Sequence, residues 1–209
     1  MSYKQERNSA FELLRIISMF LIVMHHYSVH GGFDFMSPFS VRLYFVQCLE
    51  MGGKLGVNLF VLISGYFLCK SNFKWFRLVK LELEVIFYSF AIGLLFFIFS
   101  PERESLKGLL SELTPILSSK YWFYETYFVL VLISPFINKL IDSLQKNEFK
   151  KILLLLTMLW VVIPTFPKIG QLQMSNLGWF VFLYLFAAYI RNFHEDFKKT
   201  QFVLFWLES

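Results

Sequence analysis

Apolar residues run through the chain in long blocks separated by short polar stretches that carry most of the charge. Six blocks fall at 10–29, 52–69, 81–100, 121–138, 151–166 and 176–191, and Gln201–Leu207 opens another. Most reach or approach the ~20 residues that span the hydrocarbon core of a bilayer. The block at 151–166 has the shortest uninterrupted run and is closed by Pro164 and Pro167. Backbone polar groups in lipid must be bonded within a helix or around a closed barrel. Barrel strands alternate in polarity, and runs such as Leu94–Phe99 and Leu153–Leu156 do not. The pattern predicts an all-α fold: a polytopic transmembrane helix bundle of six helices plus the start of a seventh, with residues 1–209 forming one domain.

Composition agrees. The chain is 56% hydrophobic and only 17% charged, with 27 Phe. A soluble domain has about a quarter of its residues charged, so disorder and an ordinary cytosolic enzyme are excluded. The net charge of +5 does not imply nucleic acid, because the basic residues lie between apolar blocks rather than on one folded face. The expected partner is the lipid bilayer. Lys and Arg instead report orientation. With the N-terminus inside, the inner side receives Lys4, Arg7, Lys70, Lys74, Arg77, Lys80, Lys139, Lys146, Lys150, Lys151, Arg191, Lys198 and Lys199. The outer side keeps Arg42, Lys54, Arg103, Lys107, Lys120 and Lys168. That asymmetry predicts a multi-pass plasma-membrane protein with a cytoplasmic N-terminus.

The first block contains Glu12 and Arg15, and no small-x-small site follows His30, so it reads as a retained helix rather than a cleaved signal peptide. Cys48 and Cys69 flank the second block and stand roughly 30 Å apart, too far for a disulfide. No CxxC or HExxH spacing is present, and no metal site is expected.

The candidate chemistry lies in the first block. Arg15 and His26 are eleven residues apart, almost three helical turns, so their side chains project within about 20° of one line and lie roughly 16 Å apart along it. Met19 and Ile22 share this stripe, while His25 is turned away. Ionisable residues in membrane helices usually face a bundle interior or a watery cavity, so the pair suggests the two ends of a passage. The alternative is that Arg15 snorkels to the headgroups and His26 is an interfacial residue bonded to a neighbouring helix. Glu82 and Glu84, beside Lys80, are expected at a cytoplasmic boundary, solvated or paired; His30 and His194 are expected in loops. Gly52 and Gly56 form a GxxxG spacing that favours close helix packing, and Gly65 and Ser64 are also read as packing positions.

The run RNSAFELLRIISMFLIVMHHY resembles the first helix of the acyltransferase 3 family of integral membrane acyltransferases, whose hallmark of a basic residue, ten others and a histidine fits Arg15 and His26. Gly56-Val57-Asn58-Leu59-Phe60 followed by Ser64-Gly65-Tyr66 is similar to the family's next signature, with Asn58 where an acidic residue is common. Tyr121-Trp122-Phe123 followed by Pro135 is similar to a later aromatic helix opening. Members carry more transmembrane helices than this chain, which is therefore expected to be an N-terminal part of such a domain.

The resemblance implies transfer of an acyl group, commonly acetyl, from cytoplasmic acyl-CoA to a hydroxyl of a cell-surface carbohydrate or glycolipid. His26 then acts as general base or as a covalent acyl carrier. Arg15 suits a phosphate of coenzyme A, because a guanidinium presents a planar fork of donors. Helix order places Asn58, Trp122 and Glu125 toward the same outer face as His26. Asn58 or Glu125 would orient the imidazole, and the aromatic residues there fit an interfacial belt equally well. Two other classes stay open: a transporter or flippase-like protein whose polar pathway is lined by Arg15 and His26, and an inactive membrane fragment.

Overall fold

The structure, a computed structural model, describes residues 9–33, 40–100, 102, 105–116, 121–166 and 175–207, with side chains through Phe193 in the last stretch. Every regular element among the described residues is helical: α1 (Ser9–His30), α2 (Val41–Leu68), α3 (Trp75–Phe99), α4 (Leu106–Ser111), α5 (Trp122–Ser143), α6 (Lys146–Thr157) and α7 (Asn176–Leu207). Of these, α1, α2, α3 and α5 are long and apolar enough to cross a membrane.

Beyond shifts of five or six residues at the ends of α3, α5 and α6, the helices depart from the apolar blocks in four places. α2 begins at Val41 because Arg42, Gln47 and Glu50 interrupt the apolar run without interrupting the helix. α4 was not expected; the Ser105 hydroxyl caps it by accepting from the Gly108 N–H at 3.0 Å. The fifth block is ordinary α-helix only to Thr157, then winds through a π-helical turn (Met158–Val162) and a 3₁₀ turn (Ile163–Thr165). Pro164, inside that last turn, has no N–H to continue the ladder. The sixth block and the opening of the seventh follow each other without a loop: α7 is two helical segments that meet at a kink at Phe193 (φ −123°, ψ 19°).

The chain forms two compact units, Met1–Phe67 with Phe182–Ser209, and Leu68–Val181. In the first, α2 is packed on two sides. Gly56 and Gly65 are nine residues apart, which puts them about half a turn from each other around the helix. Gly56 approaches α1 so closely that a Cβ would stand 2.6 Å from the Ser18 carbonyl oxygen; at Gly52 it would stand 3.0 Å from Leu21 Cδ2. Gly65 approaches α7, where a Cβ would stand 3.0 Å from Tyr184 Cα and 3.2 Å from Ala187 Cβ. Val61, Tyr184 and Ala188 are fully buried here. Small residues that let backbones meet are the usual device of membrane helix packing, where lipid removes the hydrophobic drive between helices. The buried hydroxyls of Ser18 and Ser28 donate to the carbonyls of Arg15 and His25, each at 2.8 Å, so neither is left unpaired.

In the second unit, α3 buries Leu78, Ser89 and Gly93 along one stripe, and Gly93 seats α4 against Leu109 and Glu112. α5 passes through Pro135 without stopping. Proline cannot donate to the Val131 carbonyl one turn earlier, and the Ser134 hydroxyl does so instead at 2.8 Å. Asn138 Nδ2 donates to the Leu68 carbonyl at 3.1 Å, tying the later part of α5 to the chain leaving α2.

Candidate functional site

Arg15 and His26 both project from α1 at the rim of its contact with α2. The packed side of α1 carries Ser18, Leu21, Ile22 and His25. Arg15 and His26 lie next to that side, within about 20° of each other. Arg15 is 38% exposed, with Nη1 at 3.5 Å from Glu12 Oε1. Its Cζ lies 5.2 Å from the centre of the Phe67 ring, a cation–π distance.

His26 is exposed, and its Nδ1 lies 2.8 Å from the Ile22 carbonyl oxygen one turn back. A carbonyl only accepts, so Nδ1 carries the proton and the neutral ring keeps its lone pair on Nε2. That nitrogen is free of the intrahelical bond. Through Nδ1 the ring is held from within its own helix. His30 was expected in a loop; it is the last residue of α1, and its ring lies 5.9 Å from that of His26, tilted by 31°.

His25 is the histidine that holds helices together. Its ring fills the space opposite Gly53, and Nδ1 donates to the Glu50 carbonyl at 2.7 Å. Asn58 lies on a different side of α2 from Gly53 and Gly56. It shares its azimuth with Gly65, seven residues on and about 20° away, and sits about 7.5 Å along the axis from Gly53. Trp122 and Glu125 open α5 and belong to the other unit. Trp122 packs with Phe123 and Phe180, and Glu125 Oε1 is buried with no hydrogen-bond partner among the described residues.

Two further features escaped the sequence. The first is Arg191 on α7. Its Nη1 donates to the Tyr66 hydroxyl at 2.7 Å, and its Cζ lies 4.5 Å from the Tyr66 ring centre. Tyr66, Phe67 and Phe11 form a ring cluster with centroids 5.0–5.4 Å apart, and Arg15 sits on its Phe67 member. The second is Glu82, which accepts a hydrogen bond from the Tyr124 hydroxyl inside the second unit. Only Glu84 makes the expected exposed pair with Lys80, at 3.6 Å. Glu82 falls four residues after Leu78 and eleven before Gly93, on the buried stripe of α3, and that spacing was the available signal. Beside Glu82–Tyr124, Tyr121 donates to Glu112 Oε2 at 3.1 Å.

Among the described residues no group of three or more His, Cys, Asp or Glu side chains could hold a metal ion. A family model described as an acyltransferase domain matches residues 8–207. Neither a curated protein nor a solved structure matches the chain.

Proposed function

The chain belongs to the acyltransferase 3 family of membrane acyltransferases, and from that premise we propose that it transfers an acyl group, in the first place acetyl, from acyl-CoA to a hydroxyl of a carbohydrate or glycolipid acceptor. His26 is the general base. Its Nε2 takes the proton of the acceptor hydroxyl as the oxygen attacks the thioester carbonyl. The same proton then passes to the sulfur as the carbon–sulfur bond breaks, which returns the ring to its neutral form. The observation that carries this reading is the Nδ1–Ile22 bond, which fixes the tautomer and leaves Nε2 available.

Arg15 is assigned to a donor phosphate. It lies three turns of α1 from His26, roughly 16 Å along the axis, and an extended pantetheine arm spans most of such a distance. Its guanidinium is only weakly engaged by Glu12. Trp122 and Glu125 are supporting residues of α5: the indole offers an apolar face, and Glu125 Oε1, without a hydrogen-bond partner among the described residues, can accept from a hydroxyl. Asn58 is a supporting residue of α2. The proposed setting is the plasma membrane with the N-terminus and donor on the cytoplasmic side and the acceptor outside, as the distribution of Lys and Arg favours.

Proteoliposomes supplied with radiolabelled acetyl-CoA and an oligosaccharide acceptor test this reading. Label covalently attached to the acceptor is the expected result. Acceptor or donor that crosses the membrane unmodified would mark a transporter instead.

A further inference from the structure

We infer that Arg191 is the second cation of the donor site, so that two guanidiniums, one at each ring of the Tyr66–Phe67 pair, grip the phosphates of acyl-CoA; this deepens the assignment of Arg15 and rests on it. Arg15 Cζ stands 5.2 Å from the Phe67 ring, the two rings are 5.4 Å apart, and Arg191 Cζ stands 4.5 Å from Tyr66. The two charges are therefore at most about 15 Å apart and lie at the same end of α2, although 176 positions separate them in the chain. Coenzyme A carries its negative charge at two places, a diphosphate and a ribose phosphate. A single guanidinium does not serve both.

The chemistry of each arginine leaves donors unspent. A guanidinium has five N–H groups. Arg191 gives one to the Tyr66 hydroxyl, and among the described residues no carboxylate pairs with it. Resting over a ring face uses the flat side of the guanidinium and leaves its edge for an anion. Arg191 is also pre-positioned, because the Tyr66 bond limits the orientations it must give up on binding. An independent observation lies next to it. Among the described residues Asn192 Oδ1 is buried without a hydrogen-bond partner, just before the bend at Phe193. A buried acceptor lacking a donor is costly, and an N–H of the bound donor molecule would satisfy it.

Equilibrium binding of radiolabelled acetyl-CoA to the full chain in lipid nanodiscs tests the inference, with S-acetylpantetheine, which has no phosphate, as the comparison probe. Arg191→Gln is expected to weaken acetyl-CoA binding about tenfold or more and to leave S-acetylpantetheine binding unchanged. Arg191→Lys, which keeps charge but loses the fork, should fall between and retain the wild-type melting temperature. It keeps the test open should the Gln variant fail to fold. Tyr66→Phe removes the hydroxyl but not the guanidinium, and should stay within about threefold of wild type. Equal loss in Arg191→Gln and Tyr66→Phe would mean that Arg191 only anchors Tyr66, overturning the inference. If Arg15→Gln weakens binding and both Arg191 variants do not, the second cation is refuted while the Arg15 assignment stands. If none of these variants changes acetyl-CoA affinity, the Arg15 assignment itself is refuted.

Discussion

Replacing Gly56 by alanine adds a single methyl group where α2 meets α1. That carbon would stand 2.6 Å from the Ser18 carbonyl oxygen and 3.1 Å from both Ile22 Cγ1 and Leu21 Cβ. Cβ atoms essentially never approach closer than 3.0 Å, so the helices must separate by at least about 0.4 Å along that line. The obstructing atom is backbone and cannot rotate aside. Gly52 offers an internal control: its added Cβ would stand 3.0 Å from Leu21 Cδ2, the movable end of a side chain. Overpacking of a rigid contact costs about 1–3 kcal/mol, whereas a side chain that can turn costs less than the lower limit. Thermal unfolding in detergent micelles, followed by circular dichroism, should show Gly56→Ala clearly less stable than Gly52→Ala. Equal melting temperatures for the two variants would refute the close backbone contact. The shift also displaces the segment between Arg15 and His26, so residual activity of Gly56→Ala should fall further than its folded fraction.

Three other perturbations separate structural from chemical residues. His25→Ala removes the bond to the Glu50 carbonyl and the ring opposite Gly53, and should lower stability by about 1 kcal/mol or more while the folded fraction keeps its acyl-transfer rate; a stable but inactive variant would reverse the roles given to the two histidines. Tyr124→Phe strips the donor from Glu82 and should destabilise the protein by about 1–3 kcal/mol, more than Glu82→Gln, which preserves an acceptor; chemical denaturation midpoints that rank the other way would count against a Glu82–Tyr124 bond inside the bundle. Cys48 is exposed near the start of α2, whereas Cys69 is buried. A membrane-impermeant maleimide added to intact cells should label Cys48 in a Cys69→Ser background, and labelling only after lysis would contradict the cytoplasmic placement of the N-terminus.

Much of the helical order was legible because apolar length reports what a bilayer demands. α1 and α3 end within a residue of their blocks, and the Gly52–Gly56 spacing pointed to the contact that Gly56 makes with Ser18. What hydropathy could not register was helix outside the apolar run: Val41–Met51 is polar in places yet helical, and α7 continues through the charged stretch after Arg191. The block at 121–138 ran through Pro135, and so does α5, where the Ser134 hydroxyl replaces the missing donor. At the candidate site, spacing on one helix was enough to pair Arg15 with His26. It was not enough to choose which histidine packs, since His25 and His26 differ by about 100° and only the position of α2 decides which ring is enclosed. Arg191 and Glu82 escaped for a related reason. Each looked like a charge at a membrane boundary, and their bonds to Tyr66 and Tyr124 join residues 125 and 42 positions apart.

The proposal stands most directly on Nε2 of His26, and one measurement addresses it: acyl transfer by His26→Asn in proteoliposomes, alongside its acetyl-CoA affinity and melting temperature. Loss of general-base catalysis lowers turnover by about 10²–10⁴-fold. The expected variant therefore binds acetyl-CoA and melts like the wild type but transfers acyl groups at no more than a hundredth of its rate. Turnover within a fewfold of wild type, in a variant equally well folded, would contradict the assignment of His26 as the base.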